Sequence, residues 1–202
     1  MEQTCGSKKV FDNSDYNSSD GMLTYVWGPS MWHTLHTISF NYPVNPDKDT
    51  KLQYLEFFRG LKHILPCRYC RINLVSNLRK VPLTIKTMAN RESVSRWVYN
   101  LHEEINKMLG KKSGLSYEDV RDRYEIFRAR CIDDVAGKKK KKSKSRKLQK
   151  VTSRKTKKES GCTNPLYGVR SKCVINIVPR DTRCKSFSID KRCKIRRRKS
   201  KK

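Results

Sequence analysis

The sequence predicts a small all-α bundle, and three observations predict it. Between residues 27 and 131, apolar side chains recur at three- and four-residue steps. Capping residues and prolines bound those periodic stretches. The connections between them are short, as in bundles of neighbouring helices.

The first helix runs from Trp27, with Trp32, Leu35, His36, Ser39 and Phe40 in phase, and Pro43 stops it. The second carries Leu52, Leu55, Phe58, Leu61 and Leu65, with Asp47 or Asp49 as N-cap, and Pro66 breaks it. The third spans about Cys67 to Lys80, with Ile72, Val75 and Leu78 in phase and Pro82 beyond it. The fourth is capped by Asn90. Val94, Trp97, Val98, Leu101, Ile105, Met108 and Leu109 trace its apolar face, and Gly110 lies just past its end. The fifth starts at Ser116, whose capping box reaches Asp119, and runs through Val120, Tyr124 and Phe127 toward Cys131.

Charge divides the chain. Its 47 basic and 19 acidic residues give a net charge of +28. Residues 1–137 hold 20 basic and 16 acidic side chains, whereas residues 138–202 hold 27 and 3. Four segments follow from composition. Residues 1–20, rich in Ser, Asn and Asp, read as a disordered leader. The helical domain occupies 22–131. Residues 138–158 hold 13 basic residues and no acid, a disordered linker that repels itself. Residues 159–202 form a basic tail with four cysteines and a β-like run from Val174 to Val178, too small for a core without cross-links. No apolar stretch reaches the roughly 20 residues of a membrane span. The N-terminus has no apolar run of the secretory type, which points to a reducing compartment. The expected location is the cytoplasm, with the mitochondrial intermembrane space as the alternative.

The eight cysteines are Cys5, Cys67, Cys70, Cys131, Cys162, Cys173, Cys184 and Cys193. Cys67-Arg68-Tyr69-Cys70 is the focal motif. Pro66 before it and helix formers after it put Cys67 at a helix N-terminus, where backbone N–H groups, Arg68 and Arg71 favour a thiolate. The alternative is half of a zinc site, which needs two more ligands from His63, His102 or Cys131 through tertiary folding. No metal site is expected. The histidines His36 and His102 lie on or beside apolar faces, and by themselves they read as hydrogen-bonded core residues. Trp27, Trp32, Tyr42, Trp97 and Tyr124 likewise read as core aromatics.

Three segments in order carry a resemblance: WGPSMWHTLHTISFNYP, LPCRYCRINL and WVYNLHEEINKMLGK. They are similar to the signature segments of the Erv/Alr family of FAD-linked sulfhydryl oxidases: a W-x-x-L-H helix followed by Y-P, a Pro-Cys-x-x-Cys, and an L-H-x-x-[VI]-N-x-x-L-G-K helix. The match covers about residues 22–131. The short leader and basic tail resemble members carried by large DNA viruses, for which the location becomes host cytoplasm or virion. The resemblance implies a four-helix bundle plus a short fifth helix, with FAD held non-covalently between helices. No G-x-G-x-x-G occurs, so no dinucleotide fold competes. It assigns Gly28, Trp32, His36 and Tyr42 to the first flavin-contacting segment. It assigns His102, Asn106 and Lys111, with Trp97 on the same helix, to the second. Tyr124 stands where the family usually has a Trp. Pro29 follows Gly28 where relatives often have Arg. Tyr99 and Tyr117 occupy positions that in many members form a disulfide.

The resemblance implies thiol oxidation. A thiol-containing protein substrate attacks Cys67, Cys70 passes electrons to FAD, and oxygen is reduced to hydrogen peroxide. Relatives also use a mobile cysteine pair. Here the candidates are Cys5, Cys131 and the tail cysteines, with Cys131 pairing with Cys5 within a chain or across a homodimer. Cys162–Cys173 and Cys184–Cys193 are alternatives as structural bridges. Two rival classes remain. One is a nucleic-acid-binding protein whose basic tail holds phosphates without sequence preference. The other is a zinc-binding interaction module.

Overall fold

The computed structural model describes residues 13–132, 161–167, 169–179, 181–184 and 188–193. These fall into two compact units divided between Val120 and Arg121. The expected basic linker at 138–158 lies outside the described residues.

The first unit is helical. After a single turn, α1 (Asn13–Tyr16), come α2 (Thr24–Phe40), α3 (Lys48–Ile64), α4 (Arg68–Lys80) and α5 (Arg91–Met108). A 3-10 turn, Ile85–Met88, joins the last two, and α6 (Tyr117–Glu125) begins here. The caps are those the residues dictate. Asp47 accepts from the Thr50 amide at 2.7 Å, and Asn90 accepts from the Ser93 amide at 2.9 Å. Ser116 and Asp119 satisfy each other's amides at 3.0 and 3.1 Å. Gly110 ends α5 with φ +66°, a conformation that favours glycine.

The apolar stripes meet in one core. Leu55, Phe58 and Leu61 of α3, Leu74 of α4, and Val94, Trp97, Val98 and Leu101 of α5 are buried there. Each large side chain so buried contributes about 1.5–3 kcal/mol. Trp97 packs edge-on to Phe58, with ring centres 5.1 Å apart, and its Nε1–H donates to the Val81 carbonyl. Tyr42 is fully buried, and its hydroxyl donates to the Met88 carbonyl at 2.9 Å. The Tyr-Pro segment after α2 is thereby tied to the 3-10 turn before α5.

Tyr99 and Tyr117 pack edge to face, with ring centres 5.9 Å apart. The Tyr117 hydroxyl shares a hydrogen bond with Ser95 at 2.8 Å, and Tyr99 donates to the Leu115 carbonyl at 2.7 Å. Arg96 covers the Tyr117 ring at 3.9 Å. Aromatic packing and hydrogen bonds thus join the start of α6 to α5.

Two elements of the first unit depart from expectation. The first helix begins at Thr24, one turn earlier than Trp27 suggests. Residues 19–22, which include the last two residues of the expected leader at 1–20, form a strap across the start of α4. Met22 N–H donates to the Pro66 carbonyl at 2.7 Å, and Arg68 N–H donates to the Asp20 carbonyl at 3.0 Å. Gly21 bridges Cys67 in antiparallel fashion. Gly21 has φ +95°, and a Cβ there would sit 2.5 Å from the Pro66 oxygen, so only glycine lets the strap lie this close.

In the second unit, the expected continuation of the fifth helix toward Cys131 gives way. After Glu125 the chain turns into β1 (Ala129–Ile132), which pairs antiparallel with β2 (Gly161–Pro165). Ladder bonds from a distant segment outweigh the helical phase of Tyr124 and Phe127. The expected β-like run at 174–178 makes no ladder, and Val174, Ile175 and Ile177 are exposed.

Candidate active site

Cys67 and Cys70 form a disulfide with Cα atoms 5.2 Å apart. Cys67 is the N-cap of α4 and sits in extended conformation, and its sulfur accepts from the Cys70 amide at 3.2 Å. The sequence places this cysteine at a helix start because Pro66 cannot continue α3. The strap holds it there. The Arg71 guanidinium adds bonds to the Leu65 carbonyl at 2.6 Å and the Ser19 carbonyl at 3.4 Å.

Trp32 and His36 of α2 meet His102 of α5. The Trp32 and His102 rings are parallel within 6°, with centres 3.8 Å apart. His36 Nε2 and His102 Nδ1 share a hydrogen bond at 3.1 Å. Burial, reinforced by His102 and His33, pushes the His36 imidazole down to about 3. Burial pushes His102 down to about 4, with Glu103 opposing and Lys111 assisting. Both rings are therefore neutral at physiological pH, so one nitrogen carries the hydrogen and the other accepts it.

Thr24, Gly28, Trp32 and His36 follow one another at four-residue steps, so they form one ridge of α2 about 18 Å long. At its start the Thr24 hydroxyl contacts Cys70 Sγ at 3.7 Å; at its end lie Trp32 and His36. Between them Gly28 is buried and presents no side chain. Lys111, past the end of α5, holds its ammonium 5.4 Å from the centre of the Tyr25 ring. Its amide donates to the Asn106 carbonyl at 2.8 Å, while the Asn106 side chain donates to Glu103 at 3.0 Å.

Thus Trp32, His36 and His102 are brought together, and α2 connects them to Cys70. Tyr42 and Trp97 belong to the packed core. Tyr124 lies in the last turn of α6, in the second unit, edge-on to Phe127 with ring centres 5.8 Å apart. Among the described residues, no cluster of three His, Cys, Asp or Glu side chains could hold a metal ion. Cys173, Cys184 and Cys193 are free thiols, so the bridges Cys162–Cys173 and Cys184–Cys193 are not formed. Cys162 is in a disulfide. Sequence reasoning missed Thr24 and the strap, because their polar composition carries no periodic signal.

Comparison with known proteins extends this geometry. The Erv1 / Alr family model matches residues 29–125. A protein of Acanthamoeba polyphaga mimivirus, named a probable FAD-linked sulfhydryl oxidase, is 37% identical over 94 residues. That alignment covers 46% of this chain and 65% of the mimivirus protein, so the chain spans just under two thirds of that relative's length. The FAD-linked sulfhydryl oxidase of African swine fever virus is 32% identical over 99 residues, covering 49% of this chain and 80% of the viral protein. The mitochondrial FAD-linked sulfhydryl oxidase ERV1 of Saccharomyces cerevisiae is 30% identical over 84 residues, covering 42% of this chain and 43% of its own. With a match of that extent to the swine fever protein, and with the disulfide, the tryptophan and the paired histidines on the matched helices, the chain belongs to the Erv1/Alr family.

Proposed function

We propose that this chain is an FAD-linked thiol oxidase that forms disulfides in thiol-containing protein substrates. The observation that carries the reading is the α2 ridge, which links the Cys67–Cys70 disulfide to the Trp32–His36–His102 group. The residues suit a flavin. A flat heteroaromatic ring matches the parallel Trp32 and His102 rings, neutral imidazoles avoid placing charge against it, and buried Gly28 leaves room beside it. Lys111 supplies a cation for the phosphates. Tyr42, Trp97, Asn106 and Tyr124 complete the proposed cofactor-binding set, Tyr42 and Trp97 by packing the helices that carry it.

FAD supplies two-electron acceptance and the reaction with oxygen that gives hydrogen peroxide. The chain's own residues do the thiol chemistry. A substrate thiolate attacks Cys67 Sγ, a substrate–Cys67 bond forms, the Cys67–Cys70 bond breaks, and Cys70 leaves as a thiolate. A second substrate thiolate then attacks the mixed disulfide and releases Cys67 as a thiolate. The substrate leaves oxidised, with Cys67 and Cys70 holding its two electrons.

A visible spectrum tests the reading. The purified full chain is expected to be yellow, and dithiothreitol without oxygen is expected to bleach it. Gly28→Ala sharpens the test. The new Cβ would meet Thr24 Cγ2 at 3.5 Å, an ordinary contact. Alanine stabilises a helix interior by about 0.8–1 kcal/mol over glycine. A methyl intruding on the flavin costs about 1–3 kcal/mol, or about 5- to 150-fold in affinity. The variant should melt higher and hold FAD more weakly. A colourless wild type would overturn the proposed function.

No helix among the described residues is long and apolar enough to cross a membrane. We place the activity in the host cytoplasm or virion, after the viral relatives; the yeast relative's mitochondrial setting is the alternative. The charge beyond residue 137 supports non-specific nucleic-acid binding by the tail. Retardation of unrelated DNA fragments by the full chain should be equal among sequences and should fall steeply between 50 and about 200 mM salt. A homodimer is the oligomeric state we propose to test by sedimentation.

A further inference from the structure

Each sulfur of the disulfide faces a different helix start. Cys67 caps α4, and its sulfur takes the Cys70 amide. Cys70 faces the start of α2, where Thr24 is the first residue and its hydroxyl lies 3.7 Å from Cys70 Sγ. A disulfide sulfur has no hydrogen to give, so in this contact the Thr24 hydroxyl donates. Leu23, the α2 N-cap, offers no side-chain cap, and the first turn of α2 holds no acid. The positive end of a 17-residue helix is thus directed at Cys70 without an internal carboxylate to neutralise it.

The strap fixes this arrangement. Thr24 follows Met22, whose amide is bonded to Pro66 and whose carbonyl accepts from Trp27 Nε1 at 3.1 Å. The start of α2 therefore cannot drift from the start of α4. In the chain, Arg68, Tyr69 and Arg71 of α4 flank Cys70, Asp20 of the strap lies beside Arg68, and Tyr25 follows Thr24. Arg68 lies 3.9 Å from Asp20, and Arg71 is engaged with main-chain carbonyls.

We propose that Thr24 is a catalytic residue, whose hydroxyl donates to Cys70 Sγ and stabilises the thiolate released when Cys67 is attacked. This rests on the Cys67–Cys70 exchange proposed above. In that step the substrate sulfur bonds to Cys67 and the electron pair of the broken bond goes to Cys70. The Thr24 O–H and the α2 N-terminus meet the new negative charge. A leaving group of lower pKa departs faster, and a sulfur kept unprotonated stays ready to give up its electrons. The hydroxyl donates without transferring its proton, so Thr24 is unchanged at the end.

The test uses the full chain with Thr24→Val, which keeps the branched shape and deletes the hydroxyl, and Thr24→Ser, which keeps the hydroxyl. After reduction, alkylation of Cys70 by iodoacetamide is followed against pH by mass spectrometry of its peptide. A hydrogen bond to a charged sulfur corresponds to about tenfold in thiolate population. Thr24→Val should alkylate Cys70 about tenfold more slowly at neutral pH, with its profile displaced about one unit upward. Thr24→Ser should stay within about twofold of wild type. A Val profile that coincides with wild type overturns the proposal. So does a Ser variant as impaired as Val, which would leave only a packing role. The alkylation profile requires no turnover. A wild type that fails to consume oxygen with dithiothreitol would instead overturn the oxidase function, and the alkylation result would still decide the role of Thr24.

Discussion

Cys70→Ser and Cys67→Ser are each expected to lose dithiothreitol-dependent oxygen consumption by about a thousandfold or more while still binding FAD. Both electrons of the substrate pass through the Cys67–Cys70 bond, and a serine oxygen cannot form it. The substitutions are mild for the fold. Serine is a good N-cap, so Cys67→Ser keeps the cap of α4. Cys70 is only half-buried. Trp32, His36 and His102 are untouched, so the flavin spectrum should persist in both variants. Oxygen-electrode traces beside absorption spectra separate loss of chemistry from loss of cofactor. Turnover surviving in Cys70→Ser would mean that another pair, such as one involving Cys162 or Cys173, carries the electrons.

Acidification should destabilise the protein well above the range where carboxylates titrate. His36 and His102 have folded pKa values of about 3 and about 4, below the ordinary 6.5. The unfolded chain therefore binds more protons than the native one between those values and 6.5, and stability rises with pH across that window. Read downward, it is fully present above about pH 6.5 and is lost toward pH 4. Each imidazole contributes a slope of about 1.4 kcal/mol per pH unit. Two of them would consume a large share of the 5–15 kcal/mol typical of a domain. Urea melts at pH 7.5, 6, 5 and about 4.5 should show this loss. His102→Asn removes one titration and should lower the slope by about a third to a half, because burial also holds His33 below its ordinary value. Glu104, held low by its bond to Lys80, acts only below the ordinary carboxylate range and leaves the upper window to the histidines. A flat profile from pH 7.5 to 5 would refute the neutral, buried histidine pair.

Most of the helices and their ends follow from the sequence alone, because caps and the 3.6-residue period act within one or two turns; the start of α2 and the end of α6 do not. Asp47, Asn90, the Ser116–Asp119 box and Cys67 at the start of α4 all carry short-range signals, and all stand where those signals put them. The histidines were ambiguous. His36 and His102 lie 66 residues apart, and only the packing of α2 on α5 joins them and, by burying them, makes them neutral. The same holds for Tyr99 against Tyr117, and for Trp97 and Tyr42, whose polar atoms take carbonyl partners that no pattern in the chain announces. The strap is the sharpest case. A polar, serine-rich segment looks unable to order itself, and by its own contacts it would not. Main-chain bonds to Pro66 and Arg68, about 45 residues away, hold it, and only the absence of a Cβ at Gly21 admits it. Local physics set the helices and the chemistry of the cysteine pair. Tertiary contacts, which leave no period in the sequence, decided what surrounds each sulfur.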